Sequence, residues 1–210
     1  MLYLQERQAV VDACKFLQEK HLVVGTAGNV SIRRDDDIII SPTAVEYSQM
    51  TVTDIVVVDM AGNIVEGKLK PSSELPFHIS IYASTDYQAI VHTHAPASTA
   101  LSVVVDEIPI THYYSALFGG AVRVAPYALY GSDELAVHIA KALKDRTAAL
   151  LANHGAVTVG ADIKGAIGLV EYLEYLCDVE LKVLATGRLA KVITSDELNQ
   201  VIRKLDTYRQ

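Results

Sequence analysis

Two short apolar runs each end at histidine, and that placement restricts the fold more than any other feature of the chain. Ala89-Ile90-Val91 leads into His92-Thr93-His94-Ala95-Pro96, and Ala148-Ala149-Leu150-Leu151-Ala152 leads into Asn153-His154-Gly155. A short apolar stretch closed by Pro or Gly reads as a buried strand. Side chains alternate along a strand, so His92 and His94 face the same way, with Cα atoms about 6.6 Å apart at ~3.3 Å per residue. Imidazoles at a dry strand end need a hydrogen-bond partner or a cation. A lone His-x-His is often accidental; His154, at the end of a second strand, supplies a third donor. Three neutral nitrogens with an open fourth position describe a catalytic zinc rather than a closed structural one.

With 210 residues, half of them hydrophobic and 20% charged, the chain can bury one sizeable core, and a single domain over 1–210 is expected. The net charge is −7 and the basic residues are scattered. This argues against a nucleic-acid footprint or a polybasic membrane anchor, and means that an anionic ligand would be held by local donors. The first residues carry no cationic leader with an apolar core, and no run reaches the ~18 apolar residues of a membrane span. A soluble, non-exported, cytoplasmic protein is expected. Cys14 and Cys177 form no CxxC pair and are expected as core thiols.

Taken in order, Glu6–Lys20 has helical apolar spacing through Ala9, Val10, Ala13, Phe16 and Leu17, predicting an amphipathic helix. Leu22-Val23-Val24 and Val30-Ser31-Ile32 read as strands flanking Gly25-Thr26-Ala27-Gly28-Asn29. That loop is either a plain turn or a backbone surface that approaches a ligand. Asp35-Asp36-Asp37 reads as a solvated turn before Ile38-Ile39-Ile40, and Ile55–Val58 with Ile64-Val65 as a hairpin. In Pro71-Ser72-Ser73-Glu74-Leu75-Pro76-Phe77-His78, serine caps a helix start, and the free N–H groups with two hydroxyls suit a phosphate. Glu74 would lie in the first turn. His78 has two readings, a fourth ligand or a core histidine bonded to a carbonyl; the second is preferred.

Ala97–Val104 predicts a short helix, Ile108–Tyr114 a strand with an aromatic end, Ser132–Lys144 a capped helix with His138 on its flank, and Ile163–Thr186 one long helix. Thr194-Ser195-Asp196-Glu197 is a capping box opening a last helix to Tyr208. The order of elements suggests helices on both faces of a mostly antiparallel sheet, without a strict βαβ repeat.

Six motifs, Gly25-Thr26-Ala27-Gly28-Asn29-Val30-Ser31, Ser41-Pro42-Thr43, Pro71-Ser72-Ser73-Glu74, His92-Thr93-His94, His112-Tyr113 and Asn153-His154-Gly155, together resemble the class II aldolase and epimerase family. Within it, the L-fuculose-1-phosphate aldolase branch is the most similar. The resemblance implies an α/β fold of three αβα layers around a mixed, mostly antiparallel sheet, assembled as a homotetramer with active sites between subunits. It implies Zn2+ on His92, His94 and His154, with Glu74 as acid/base able to touch the metal. Gly28, Asn29, Thr43, Ser72 and Ser73 would hold a phosphate, Tyr113 would donate a proton in a neighbour's site, and Tyr208 would lie on a closing tail. The chain departs from the pattern at Ala44, where family aldolases usually carry Gly in the phosphate loop.

Chemistry agrees with these assignments. Splitting a ketose 1-phosphate into dihydroxyacetone phosphate and an aldehyde such as L-lactaldehyde leaves an enediolate, whose charge calls for a Lewis acid. No lysine occurs in the motifs, which disfavours a Schiff base. Related readings are a pentulose-5-phosphate 4-epimerase, whose branch carries Asp where Glu74 stands, a methylthioribulose-1-phosphate dehydratase, and a scaffold like the adducin head, which lacks the metal ligands.

Overall fold

The structure is a computed structural model that describes residues 1–208, with the side chains of Asp206 and Tyr208 outside the description. Nine strands form one sheet: β1 (Asn29–Arg34), β2 (Asp37–Ile40), β3 (Val56–Asp59), β4 (Ile64–Glu66), β5 (Ala89–Thr93), β6 (Glu107–Ile108), β7 (Val122–Ala125), β8 (Ala148–Leu151) and β9 (Gly155–Gly160). Their spatial order is β4-β3-β2-β1-β5-β9-β8-β7-β6. Among the described residues only β7 and β8 pair in parallel, so the sheet is mixed and mostly antiparallel. Helices α1 (Leu4–Glu19), α2 (Leu75–Ser84), α3 (Pro96–Ser102), α4 (Asp133–Ala142), α5 (Ile163–Ala185) and α6 (Ser195–Tyr208) complete the chain.

The layering follows from the residues. Ile38 and Ile40 pack with Phe77 and Ile81 of α2 and Ile139 of α4, whereas Ile39 between them packs with Val10 and Leu17 of α1 and Val170 of α5. A strand covered on both faces can be apolar at every position, which is why Ile38-Ile39-Ile40 shows no alternation. A further cluster joins Leu101 of α3 to Leu150 of β8 and Leu173, Leu176 and Cys177 of α5. The result is the three-layer αβα arrangement. Cys14 and Cys177 are free and buried, and burial pushes the Cys14 thiol up to about 12.

Three local expectations change. Leu22–Val24 is irregular, with a bend at Val23, instead of a strand, because Leu22 N–H closes the end of α1 on Leu17 O at 2.9 Å. The strand expected over Ile108–Tyr114 stops at Ile108, and Tyr113–Phe118 is a 3-10 helix. There the His112 ring accepts from Tyr114 N–H at 3.1 Å, a local cap that competes with strand pairing. Glu74 stands one residue before α2 at its cap position. Thr194 and Glu197 do exchange the expected capping bonds, Thr194 N–H to Glu197 Oε2 at 2.8 Å and Glu197 N–H to Thr194 Oγ1 at 3.3 Å.

Candidate active site

Strand pairing assembles the site. His92 on β5 lies opposite Asn29 of β1 on one side and Val157 of β9 on the other. His154 sits in the turn between β8 and β9, and Gly155 crosses so near Thr93 that a Cβ there would lie 2.2 Å from its carbonyl oxygen. The last strand therefore carries His154 against His94. Glu74 approaches from α2, and Phe77 meets the His92 ring edge-on at 5.6 Å.

One ligand atom from each of Glu74, His92, His94 and His154 falls within 4.8 Å of the others. His92 Nε2 is 2.9 Å from His94 Nε2 and 3.1 Å from Glu74 Oε2, and His154 Nε2 is 3.4 Å from Glu74 Oε1. His92 Nδ1 faces Ala156 O at 2.9 Å, so it carries a proton and Nε2 points into the cluster. A shared proton could satisfy one of these close pairs. A divalent cation satisfies all four donors, including Glu74 Oε1, which is buried without a hydrogen-bond partner. The donor set fits a metal.

The electrostatics follow from this crowding. Burial opposes the charge of Glu74, but the His92 and His154 rings and the Asn29 amide outweigh it and lower the carboxyl to about 2. Burial likewise opposes a charged His92, and contact with Glu74 overcomes it and raises the ring. Burial, reinforced by neighbouring imidazoles, lowers His94 to about 3 and His154 to about 4. Those two rings are neutral at ordinary pH, the form that ligates metal.

The cluster lies at one side of a pocket of about 520 Å3 whose lining includes Gly28, Thr43, Ala44, Ser72, Ser73 and Asn153. The expected phosphate donors are thus gathered beside the metal-fitting cluster, though their roles differ in detail. Gly28 has φ +83, and a Cβ on it would stand 2.8 Å from His92 O. Ala44, at the position noted for its departure from Gly, also has a left-handed backbone, φ 55. Thr43 N–H is taken by Lys70 O at 3.1 Å, which leaves its hydroxyl. The start of α2 offers fewer amides than expected: Glu74 N–H goes to Ser72 Oγ, Leu75 N–H to Ser72 O, and Pro76 has none. Ser73 lines the pocket and is exposed.

Asn29 is buried and its side chain donates to Glu74 Oε2 at 2.9 Å. His78 is no ligand; Nε2 bonds the Asn29 side-chain oxygen at 2.6 Å and Nδ1 faces Ser31 Oγ at 2.7 Å. Tyr113 is 45% exposed and lies outside the pocket lining. Tyr208 ends α6, and its side chain lies outside the described residues. Sequence reasoning missed Tyr127 and Tyr130, which line the pocket while largely exposed; large aromatics in a polar loop were the available signal.

Residues 8–181 match the model of the family described as Class II Aldolase and Adducin N-terminal domain. The chain belongs to this family. This class II aldolase is 40% identical over 201 residues to the L-fuculose phosphate aldolase of Escherichia coli O6:H1, covering 95% of this chain and 93% of that one. It is 37% identical over 204 residues to a 5-methylthioribulose-1-phosphate/5-deoxyribulose-1-phosphate aldolase of Rhodospirillum rubrum, with 96% and 91% covered. A solved L-fuculose 1-phosphate aldolase superimposes with a TM-score of 0.92 at 35% identity, over 96% of both chains. The protein is therefore an enzyme of the lyase class. Class II aldolases are metal-dependent, and the Glu74, His92, His94 and His154 cluster could hold the ion. No helix among the described residues is long and apolar enough to cross a membrane.

Proposed function

We propose that this class II aldolase uses zinc to cleave a ketose 1-phosphate of the L-fuculose 1-phosphate kind, giving dihydroxyacetone phosphate and an aldehyde such as L-lactaldehyde. The observation that carries this reading is Glu74 Oε1, a buried carboxylate oxygen without a hydrogen bond, facing three imidazoles in a polar pocket. Three nitrogens and one carboxylate oxygen suit zinc. When bound, the ion would act as a Lewis acid for the negative charge that cleavage leaves on the oxygen derived from the ketone.

The chain's own residues do the remainder. Hydroxyls of Thr43, Ser72 and Ser73 and the backbone at Gly28 and Ala44 hold the phosphate. In the synthetic direction Glu74 takes the C3 proton of dihydroxyacetone phosphate, and its electron pair forms the new bond to the aldehyde carbon. Tyr113 of a neighbouring subunit gives its proton to the aldehyde oxygen. Support for that assembly comes from the surface around Tyr113, which stacks on His112, while His112, Tyr114, Tyr172 and Tyr175 meet edge-on in a partly exposed aromatic patch. Such patches mark contact surfaces, and a homotetramer with shared sites would use it. Tyr208 would close over the pocket.

The test is product analysis of metal-loaded enzyme with L-fuculose 1-phosphate, 5-deoxyribulose 1-phosphate and 5-methylthioribulose 1-phosphate. Dihydroxyacetone phosphate and lactaldehyde from the first, at the highest kcat/KM, is the expected result. A clear preference for the others would move the enzyme to the specificity named for the Rhodospirillum relative, and release of no dihydroxyacetone phosphate from any would overturn the reading.

A further inference from the structure

Behind Glu74 the protein interior holds a row of polar side chains. On α2 and the turn before it, Glu74, His78 and Tyr82 are spaced four residues apart, and on β1, Asn29, Ser31 and Arg33 are spaced two apart. Four helical residues rise about 6.0 Å and two strand residues about 6.6 Å, so the two rows stay in step. They interlock: Glu74 Oε2 with Asn29 Nδ2 at 2.9 Å, Asn29 Oδ1 with His78 Nε2 at 2.6 Å, His78 Nδ1 with Ser31 Oγ at 2.7 Å, and Ser31 Oγ with Tyr82 OH at 2.7 Å. Arg33 closes the row by donating to Tyr82 O at 2.6 Å. Ser31 and His78 are fully buried, Tyr82 and Asn29 nearly so.

Hydrogen-bond capacity fixes the direction of every link. An ionised carboxylate only accepts, so Asn29 must present its NH2 to Glu74. Its oxygen then faces His78, which must donate from Nε2. A neutral ring with its proton on Nε2 has a lone pair on Nδ1, so Ser31 donates there. The Ser31 oxygen in turn accepts from Tyr82 O–H. All four bonds point toward Glu74.

We propose that His78, backed by Ser31 and Tyr82, is a positioning residue for the Glu74 carboxylate. By holding the Nε2–H tautomer it locks the Asn29 amide with its NH2 outward, which ties down Oε2 and turns Oε1, the oxygen without a hydrogen bond, toward the imidazoles, where it can touch the ion in the substrate-free site and take the proton when substrate is bound. In the other tautomer the ring offers Asn29 a lone pair; the amide turns over, its carbonyl meets the carboxylate, and Glu74 swings out of place. The inference rests on the reading of Glu74 as the base, and it adds residues that touch neither substrate nor metal.

Two measurements on the zinc-loaded enzyme test it. The first is 15N NMR of the imidazole rings, assigned with His78→Gln. A His78 ring protonated on Nε2 is expected, and protonation on Nδ1 overturns the proposal. The second compares His78→Leu with His78→Gln, whose amide nitrogen can replace the Nε2 donor, in C3 proton exchange of dihydroxyacetone phosphate. His78→Leu should slow exchange by about 10–100-fold, the range for partners outside a ligand set, with less than about 3-fold change in KM and full zinc by elemental analysis. His78→Gln should recover most of the loss. Equal deficits in the two variants would reduce His78 to a packing role. Should wild type exchange no C3 proton, the functional reading fails, and the ring spectrum still decides the direction of the hydrogen bonds.

Discussion

The Nε2 atoms of His92 and His94 stand 2.9 Å apart, each aimed at the other, while His92 Nδ1 is occupied by Ala156 O. Two lone pairs that close repel unless a cation or a proton lies between them. His94→Ala should therefore weaken metal binding by more than about 100-fold, since even supporting partners outside a ligand set cost 10–100-fold. Elemental analysis after gel filtration checks this, and a fully loaded variant would remove His94 from the ligand set.

Glu74 accepts from Asn29 through one oxygen and leaves the other unbonded. Glu74→Gln retains an oxygen that can accept from Asn29 but cannot take a proton. Turnover should fall by about 10²–10⁴-fold, the usual contribution of a positioned base. Dihydroxyacetone phosphate should bind within a few-fold of wild type by calorimetry. Near-normal turnover would exclude Glu74 as the base.

Gly28 and Ala44, which both line the pocket, respond oppositely to one methyl group. Ala44 already has φ 55, a region that costs an L-residue ~1–2 kcal/mol, so Ala44→Gly relieves strain at some cost in chain entropy. A net gain of up to about 1 kcal/mol in urea unfolding is expected. Gly28→Ala adds a Cβ 2.8 Å from both His92 O and Val23 Cγ1 and should cost about 2 kcal/mol or more. Loss of stability in Ala44→Gly would contradict the left-handed assignment.

If Tyr113 serves a neighbour's pocket, inactive variants can complement each other. Glu74→Gln and Tyr113→Phe subunits, unfolded together and reassembled, should regain activity in sites that draw Glu74 from one chain and Tyr113 from the next. Mixed oligomers as inactive as either parent would place Tyr113 outside the reaction.

Metal-free protein should be acid-sensitive. Burial lowers His78 and His94 to about 3 and His154 to about 4, so below about pH 6.5 the unfolded chain binds protons that the folded chain refuses, and stability falls toward pH 4. His92 is raised through Glu74 and works the other way, adding stability below its unfolded value that fades as pH rises through the folded one. Three rings outnumber one. The chelated protein should melt at a clearly lower temperature near pH 5 than near pH 7, and a flat profile in differential scanning calorimetry would refute the balance.

Much of this was legible in the residues because strand ends and caps are local signals. The 3.6 period over Ile163–Thr186 gave α5, which ends one residue earlier, at Ala185. The serine before Asp133 capped α4 as expected, accepting from Leu135 N–H. His92, His94 and His154 could be grouped from their places at strand ends, Glu74 joined them only through the family resemblance, and the structure brings all four together. What stayed hidden depends on tertiary register. Asn29 looked like a loop residue, yet it opens β1 opposite His92, which commits its side chain to Glu74. Ser31 read as an ordinary strand residue, since nothing in β1 alone says that His78 and Tyr82 lie across from it. Tyr113 and Tyr114 looked like the end of a strand because aromatic residues favour strands, and the His112 cap overrides that preference.

The place of β9 in the sheet ties the donor set to the continuity of the fold. It pairs with β5 on one edge and β8 on the other, so without residues 155–160 the strand order falls into two parts, β4 to β5 and β6 to β8, with no pairing between them. His154, one residue before β9, arrives with the strand that joins them. Joining the two parts of the sheet and completing the donor set are thus one and the same contact, made where residues 154–160 enter between β5 and β8.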